Sequence, residues 1–236
     1  MIALRLVNII SALDNMIALK YKSWDDITIP IYQEIIEIAK SNNDGDADAF
    51  DEREVDILAV LCDSDRESLG NIYIGDYAKL AQESQFLRKL PFYTPPKTIT
   101  LRGVEYKVIV DVSKFTLAQY TEYNALRTDA NGNMAGILAT MLIPTTAKHY
   151  ADGYDVADVV EAIKAELPYY KGCGILHFFQ VAQGFSLANS LRLEAKAKRK
   201  MARMTQSSEE RERLKKQAAQ LRKASISLGR CLLSRL

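Results

Sequence analysis

Apolar residues recur every three or four positions along most of this chain, but in one stretch they alternate. That stretch is TITLRGVEYKVIVDVSKFTLAQYTEY, beginning at Thr98. Ile99 and Leu101, then Val104, Tyr106, Val108 and Val110, take every second place, which is the period of a strand with one buried face. Arg102-Gly103 between the two runs has the length of a tight turn. The pattern predicts a hairpin over 98–110. Ile99, Leu101, Val104, Tyr106 and Val108 should rest on helices, because an isolated two-stranded ribbon is marginal in water. Its outer edges stay free unless a further strand, from residues 16–22 or from another subunit, covers them.

Helical spacing dominates elsewhere. Thr28 is placed to cap a helix with Pro30 in its first turn. Ile31, Ile35 and Ile38, with Tyr32, Ile36 and Ala39 beside them, share its apolar face. Asp51 with Glu54 has capping-box spacing for a short helix carrying Ile57, Leu58 and Leu61, and Ser64 with Glu67 repeats the signature. A longer helix from about Asp76 carries Tyr77, Leu80, Ala81 and Leu87, before Pro91 and Pro95-Pro96 close this half. Thr116 with Gln119 makes another box ahead of LAQYTEYNAL. Met134, Ile137, Leu138, Met141 and Leu142 fit one helical face as far as Pro144. Asp155 caps a helix bearing Val156, Val159, Val160, Ile163 and Leu167. Pro168 opens another, with Ile175, Phe178, Phe179 and Ala182 inward.

From about Leu187 to Leu236 the chain is rich in Ala, Lys, Arg and Glu and lacks proline, which predicts one or two long helices. Leu214, Ala218, Leu221, Ser225, Leu228 and Leu232 step by four and three, a heptad seam weakened by its small residues. The fold class is therefore mainly α with one β-hairpin, a helical domain followed by long C-terminal helices. Three parts are expected: an N-terminal extension (1–22), a helical domain containing the hairpin (23–190) and a basic helical tail (191–236).

Charge changes this picture. A net charge of +1 over 236 residues conceals an acidic body and a basic tail. From Arg192 onward there are fourteen Lys/Arg against four Asp/Glu. Such asymmetry points to nucleic acid, to an acidic partner, or to a tail folded on its own chain. Lys196, Lys198, Arg199, Lys200 and Arg203 cluster, followed by Arg211, Arg213, Lys215 and Lys216. No aromatic residue is interleaved for base stacking, and Glu209, Glu210 and Glu212 interrupt the run, which favours a protein partner. Three widely spaced cysteines read as reduced thiols in a cytosolic setting. Arg5, Asn8, Asp14 and Asn15 break the first apolar run, so no membrane span or secretory signal is expected, and either Met1 or Met16 serves as the start.

Candidate chemistry is sparse. Asp44-Gly-Asp46-Ala-Asp48 begins like a calcium loop, but Ala49 and Val55 stand where glycine and glutamate are needed. Asp129-Ala-Asn131-Gly-Asn133 is better read as a turn. His149 and His177 have no second ligand at metal spacing. Lys171-Gly-Cys173-Gly lacks the phosphate-loop ending, and its glycines suit close helix packing. Cys173 near a helix start is a candidate for a lowered thiol pKa. No pairing of nucleophile and base can be named, so the expectation is a non-enzymatic protein without metal or cofactor.

The order SWDDITIPIYQEIIEI, LRKLPFYTPP, ITLRGVEYKVIVDVSKFTLAQYTEY and GILATMLIPTTAKHYADGYDVADVVEAIKAELPYYKGCGILHFFQ resembles the tail assembly chaperones of long-tailed bacteriophages, especially those of Bacteroides-like hosts. The resemblance covers roughly residues 16–190. It implies a helical, self-associating protein of the host cytoplasm or the virion. That protein would coat the tape measure protein and promote assembly of the tail tube around it. An exposed apolar groove suits such a task. Met134, Met141, Phe178 and Phe179 are the candidate partner-binding residues, although the same positions suit a packed core. The alternative is a virion structural or nucleic-acid-binding protein that uses the basic tail.

Overall fold

The computed structural model describes residues 17–40, 48–129, 132–205 and 207–233. The N-terminal half is α1 (Ile29–Lys40), α2 (Asp48–Cys62), α3 (Arg66–Gly70) and α4 (Ile74–Glu83). Leu19, Trp24, Ile35, Leu58, Leu61 and Leu80 meet there in one buried cluster. Leu19 belongs to the expected N-terminal extension, yet it is buried. Trp24 ties the cluster to the chain beyond α4, its indole N–H donating to the carbonyls of Phe86 (2.8 Å) and Lys89 (2.9 Å).

Three strands follow, β1 (Thr98–Leu101), β2 (Val104–Val108) and β3 (Leu142–Pro144), in the antiparallel order β1-β2-β3. Between and after them run α5 (Leu117–Leu126), α6 (Met134–Ala139) and α7 (Val156–Glu166). The turn is the predicted Arg102-Gly103. Both residues have positive φ, 48° and 73°, as a two-residue hairpin turn of matching twist requires. Ile99 pairs with Tyr106 and Leu101 with Val104, so all four side chains share a face. Leu101 and Tyr106 are buried, and Ile99 and Val108 pack against the same core, but Val104 at the tip is 42% exposed and stands outside that core. Thr116 and Gln119 form the full capping box, and the buried Gln119 amide also donates to the Thr140 carbonyl. Asp155 caps α7, accepting from the Ala157 amide at 2.9 Å.

The covering strand comes from an unexpected place. Residues 142–144, read above as the end of a helical face, border β2, and residues 17–22 do not. Helix α6 stops at Ala139, where the Thr140 hydroxyl donates back to the Ile137 carbonyl (2.7 Å). The chain then turns extended, pairing Val108 with Leu142 and Tyr106 with Pro144. All three residues of β3 are buried, so the period of two never surfaces in the sequence. As an outer strand, β3 also tolerates Pro144. Lys20 and Tyr21 instead donate their amides to Leu61 O.

Two caps also differ. Helix α2 begins at Asp48, so Asp51 lies inside it. Asp65, not Ser64, caps α3, accepting from the Ser68 amide at 2.7 Å. After Pro168 the chain enters α8 (Tyr169–Met204), a 36-residue helix that passes residue 190 without interruption. Helix α9 (Ser208–Leu233) returns alongside it.

The two ends of β2 give a paired test of the face assignment. Tyr106→Asp should destabilise the protein by about 3 kcal/mol or more, through a buried charge and a lost aromatic. Val104→Asp should cost less than about 1 kcal/mol. Equal losses in urea denaturation would overturn the assignment.

Candidate functional site

The first turns of α8 carry most of the local chemistry. The Tyr169 amide donates to Ile27 O at 2.7 Å, and Thr28 bridges Pro168, which joins the start of α8 to that of α1. The Tyr170 hydroxyl and the Lys171 ammonium both donate to Asp25 Oδ1, at 2.9 and 2.8 Å. Lys171 first, then Tyr170, holds the Asp25 carboxyl below the usual range, and Asp25 raises Lys171 in return.

The two glycines next in line serve contact, as their size predicts. A Cβ on Gly172 would lie 2.9 Å from Met134 Cε and 3.0 Å from Leu138 Cδ1. One on Gly174 would lie 2.6 Å from the Tyr93 carbonyl oxygen. Cys173 between them does not have the lowered pKa considered for a thiol near a helix start. Burial pushes it up, outweighing the hydrogen bond with Tyr169.

Opposite this surface, Leu90, Pro91, Phe92 and Tyr93 form a strap over Tyr170, Cys173, Gly174 and His177, enclosing a cleft of about 390 Å³. Its mouth is apolar. Phe92 is 68% exposed, with its ring 6.0 Å from that of the half-buried Phe178, and Leu90 is also exposed. His177 lines the cleft, its ring 5.9 Å from Phe178 and its buried Nε2 without a hydrogen-bond partner among the described residues.

Of the four candidate contact residues, only Phe178 adjoins this cleft. Met134, Met141 and Phe179 are buried in the main core, where Phe179 stacks on Phe115 at 5.3 Å and meets Tyr123 edge-on at 5.0 Å. Leu90, Phe92 and Tyr93 are not among the candidate residues drawn from the sequence. The signal for them was present: two aromatic residues held between prolines in a stretch with no periodicity to bury them.

The tail folds against its own chain. The second half of α8 and α9 form an antiparallel hairpin, marked by Ser225 Oγ donating to Ala188 O (2.8 Å) and Lys198 Nζ to Gln217 Oε1 (3.2 Å). The seam of α8 is Val181, Ala188, Ala195 and Ala202, buried at seven-residue intervals. It faces Leu214 and Ala218, with Leu221, Ser225 and Leu228 half-buried beyond them; the Leu232 side chain lies outside the described residues. Lys196, Arg199 and Arg203, with Arg192, share one flank of the hairpin with Arg211, Lys215 and Arg222. Lys198 is on the other flank with Glu194 (3.6 Å) and Gln217. Lys200, Arg213 and Lys216 are exposed.

Among the described residues no group of three or more His, Cys, Asp or Glu is placed to hold a metal ion. Asp44 and Asp46 lie outside them. Asp129 accepts from the Gly132 amide at 3.1 Å, closing the turn read from the sequence. No family model, curated protein or solved structure matches this chain.

Because the atom facing Gly174 is a backbone oxygen, Gly174→Ala should cost about 1–3 kcal/mol and loosen the strap. Gly75→Ala, with nothing within 4 Å of the added methyl, should leave stability unchanged or raise it. Thermal denaturation of the two variants separates them, and a neutral Gly174→Ala would refute the close approach.

Proposed function

We propose that the protein is a non-enzymatic assembly chaperone of the bacteriophage tail. In this reading it receives apolar stretches of the tape measure protein at the cleft beneath Phe92, shielding them while the tube polymerises around the chain. The observation that carries the reading is the apolar mouth formed by Leu90 and Phe92, set against the first turns of a long helix. An exposed aromatic over a cleft suits a partner helix that inserts one or two side chains and then leaves, a mode served by weak, repeated contacts. Leu187, Leu193, Met201 and Met204 add exposed apolar surface farther along α8, and methionine adapts to irregular partners. The resemblance over roughly residues 16–190 supports the same function. The contact residues move, however, from Met134, Met141 and Phe179 to Leu90, Phe92 and Phe178. No helix among the described residues is long and apolar enough to cross a membrane.

Co-expression with a tape measure protein of a long-tailed bacteriophage tests this function. The chain should raise the soluble yield of that protein and co-purify with it. Leu90→Asp combined with Phe92→Asp should abolish both effects while the circular dichroism melt stays within a few degrees of the unmodified chain. A partner no more soluble with the chain than without it would sink the chaperone reading. A double variant as active as the unmodified chain would move the contact away from the cleft.

A further inference from the structure

The two flanks of the α8–α9 hairpin differ in charge in a way that the linear sequence conceals. Arg192, Lys196, Arg199 and Arg203 follow at intervals of four, three and four, and so lie on one side of α8. Arg211, Lys215 and Arg222 of α9 line the same groove system. The glutamates that interrupt the run in sequence fall elsewhere. Glu194 lines the opposite groove. At 3.6 residues per turn, Glu209, Glu210 and Glu212 lie outside the arc that holds Arg211, Lys215 and Arg222. Only Glu212 reaches in, to Lys215 at 2.7 Å.

Arg211 donates to the Thr205 carbonyl and keeps its charge. Arg192, Lys196, Arg199, Arg203 and Arg222 have no hydrogen-bond or ion-pair partner among the described residues. Like charges near one another repel, and five of the seven cations on this flank have no counter-charge among the described residues.

We infer that this flank is a docking surface for duplex DNA, held through its phosphates without regard to base sequence. The inference rests on the hairpin and is independent of the cleft. Five of the seven cations are arginines, whose planar fork bonds phosphate oxygens in pairs. The row from Arg192 to Arg203 extends roughly 16 Å at 1.5 Å per residue. That length runs beside about five base-pair steps of 3.4 Å, and the row on α9 can engage further phosphates. The tail contains no aromatic residue, so it offers no platform for single-stranded bases, whereas phosphate contacts to a duplex need none. An acidic helix would also meet the charge. It would find little apolar floor, because Ala195 and Ala202 are already buried in the seam and Leu193 is the one large apolar side chain lining the groove.

Fluorescence anisotropy of the full chain tests the inference with two unrelated 20-base-pair DNA duplexes, a single-stranded oligothymidine of equal length and polyglutamate. Both duplexes should bind with similar affinity, and log K should fall against log salt with a slope of about −4 to −6, as for five to seven phosphate contacts. The double variant Arg199→Ala, Arg203→Ala should bind at least tenfold more weakly and flatten the slope by about 2. Lys200→Ala with Lys216→Ala, on exposed positions outside the groove, should change affinity by about threefold or less, the expected reach of unspecific charge loss. All of these positions are exposed, and a circular dichroism melt confirms that each variant folds. Equal losses in the two double variants would overturn the docking flank. So would oligothymidine or polyglutamate binding as tightly as the duplexes, or no duplex binding at 50 mM salt.

Discussion

Gly172 and Gly174 leave the first turns of α8 without side chains at two places, and there the helix comes within methyl distance of Met134 and Leu138 on one side and of the Tyr93 backbone on the other. This close approach organises the rest of the molecule. Tyr169 and Tyr170 of the same helix pack into the N-terminal cluster, while Ile175 and Phe179 enter the core beneath the sheet. One helix thus joins both clusters, and it can do so only because its own surface is flat between them. The Asp25 carboxylate, shared by Tyr170 and Lys171, fixes the rotation of α8 at the same level.

What the sequence revealed followed from local chemistry. The Arg102-Gly103 turn, the Thr116 and Gln119 box and the Asp155 cap are each decided by a few adjacent residues, and each stands where it was expected. The misplaced features depend on distant partners. Leu142 and Pro144 form a strand because Val108 and Tyr106 lie beside them; their burial on both faces erases the alternation that would announce it. Asp65 displaces Ser64 as a cap by one residue, a choice that capping-box spacing alone does not make.

The proposed surfaces were hidden for a different reason. Alanines 188, 195 and 202 form a seam only once α9 lies against them, and among so many lysines and arginines they read as mere helix formers. The same pairing sorts the charges, gathering cations that are scattered in sequence and turning most of the glutamates away. Phe92 carried a readable signal, but its meaning came from the cleft beneath it. The cleft lies against the first turns of α8 and the basic flank along its second half, so one continuous helix carries both.

An alanine seam repeating every seven residues has a translational ambiguity. Sliding α9 by one heptad, about 10 Å at 1.5 Å per residue, would set Leu214, Leu221 and Leu228, themselves seven residues apart, against alanines of α8 again. Distinct large side chains on both helices resist such slippage by shape, and the repeated alanines of α8 offer the α9 leucines equivalent seats. The connection at 205–207 must therefore set the alignment. Three residues can span only about 10 Å when fully extended, and the Arg211 guanidinium clasps the Thr205 carbonyl across the bend. Lengthening that connection, rather than altering the helices, is the change that would release the hairpin into several coexisting alignments.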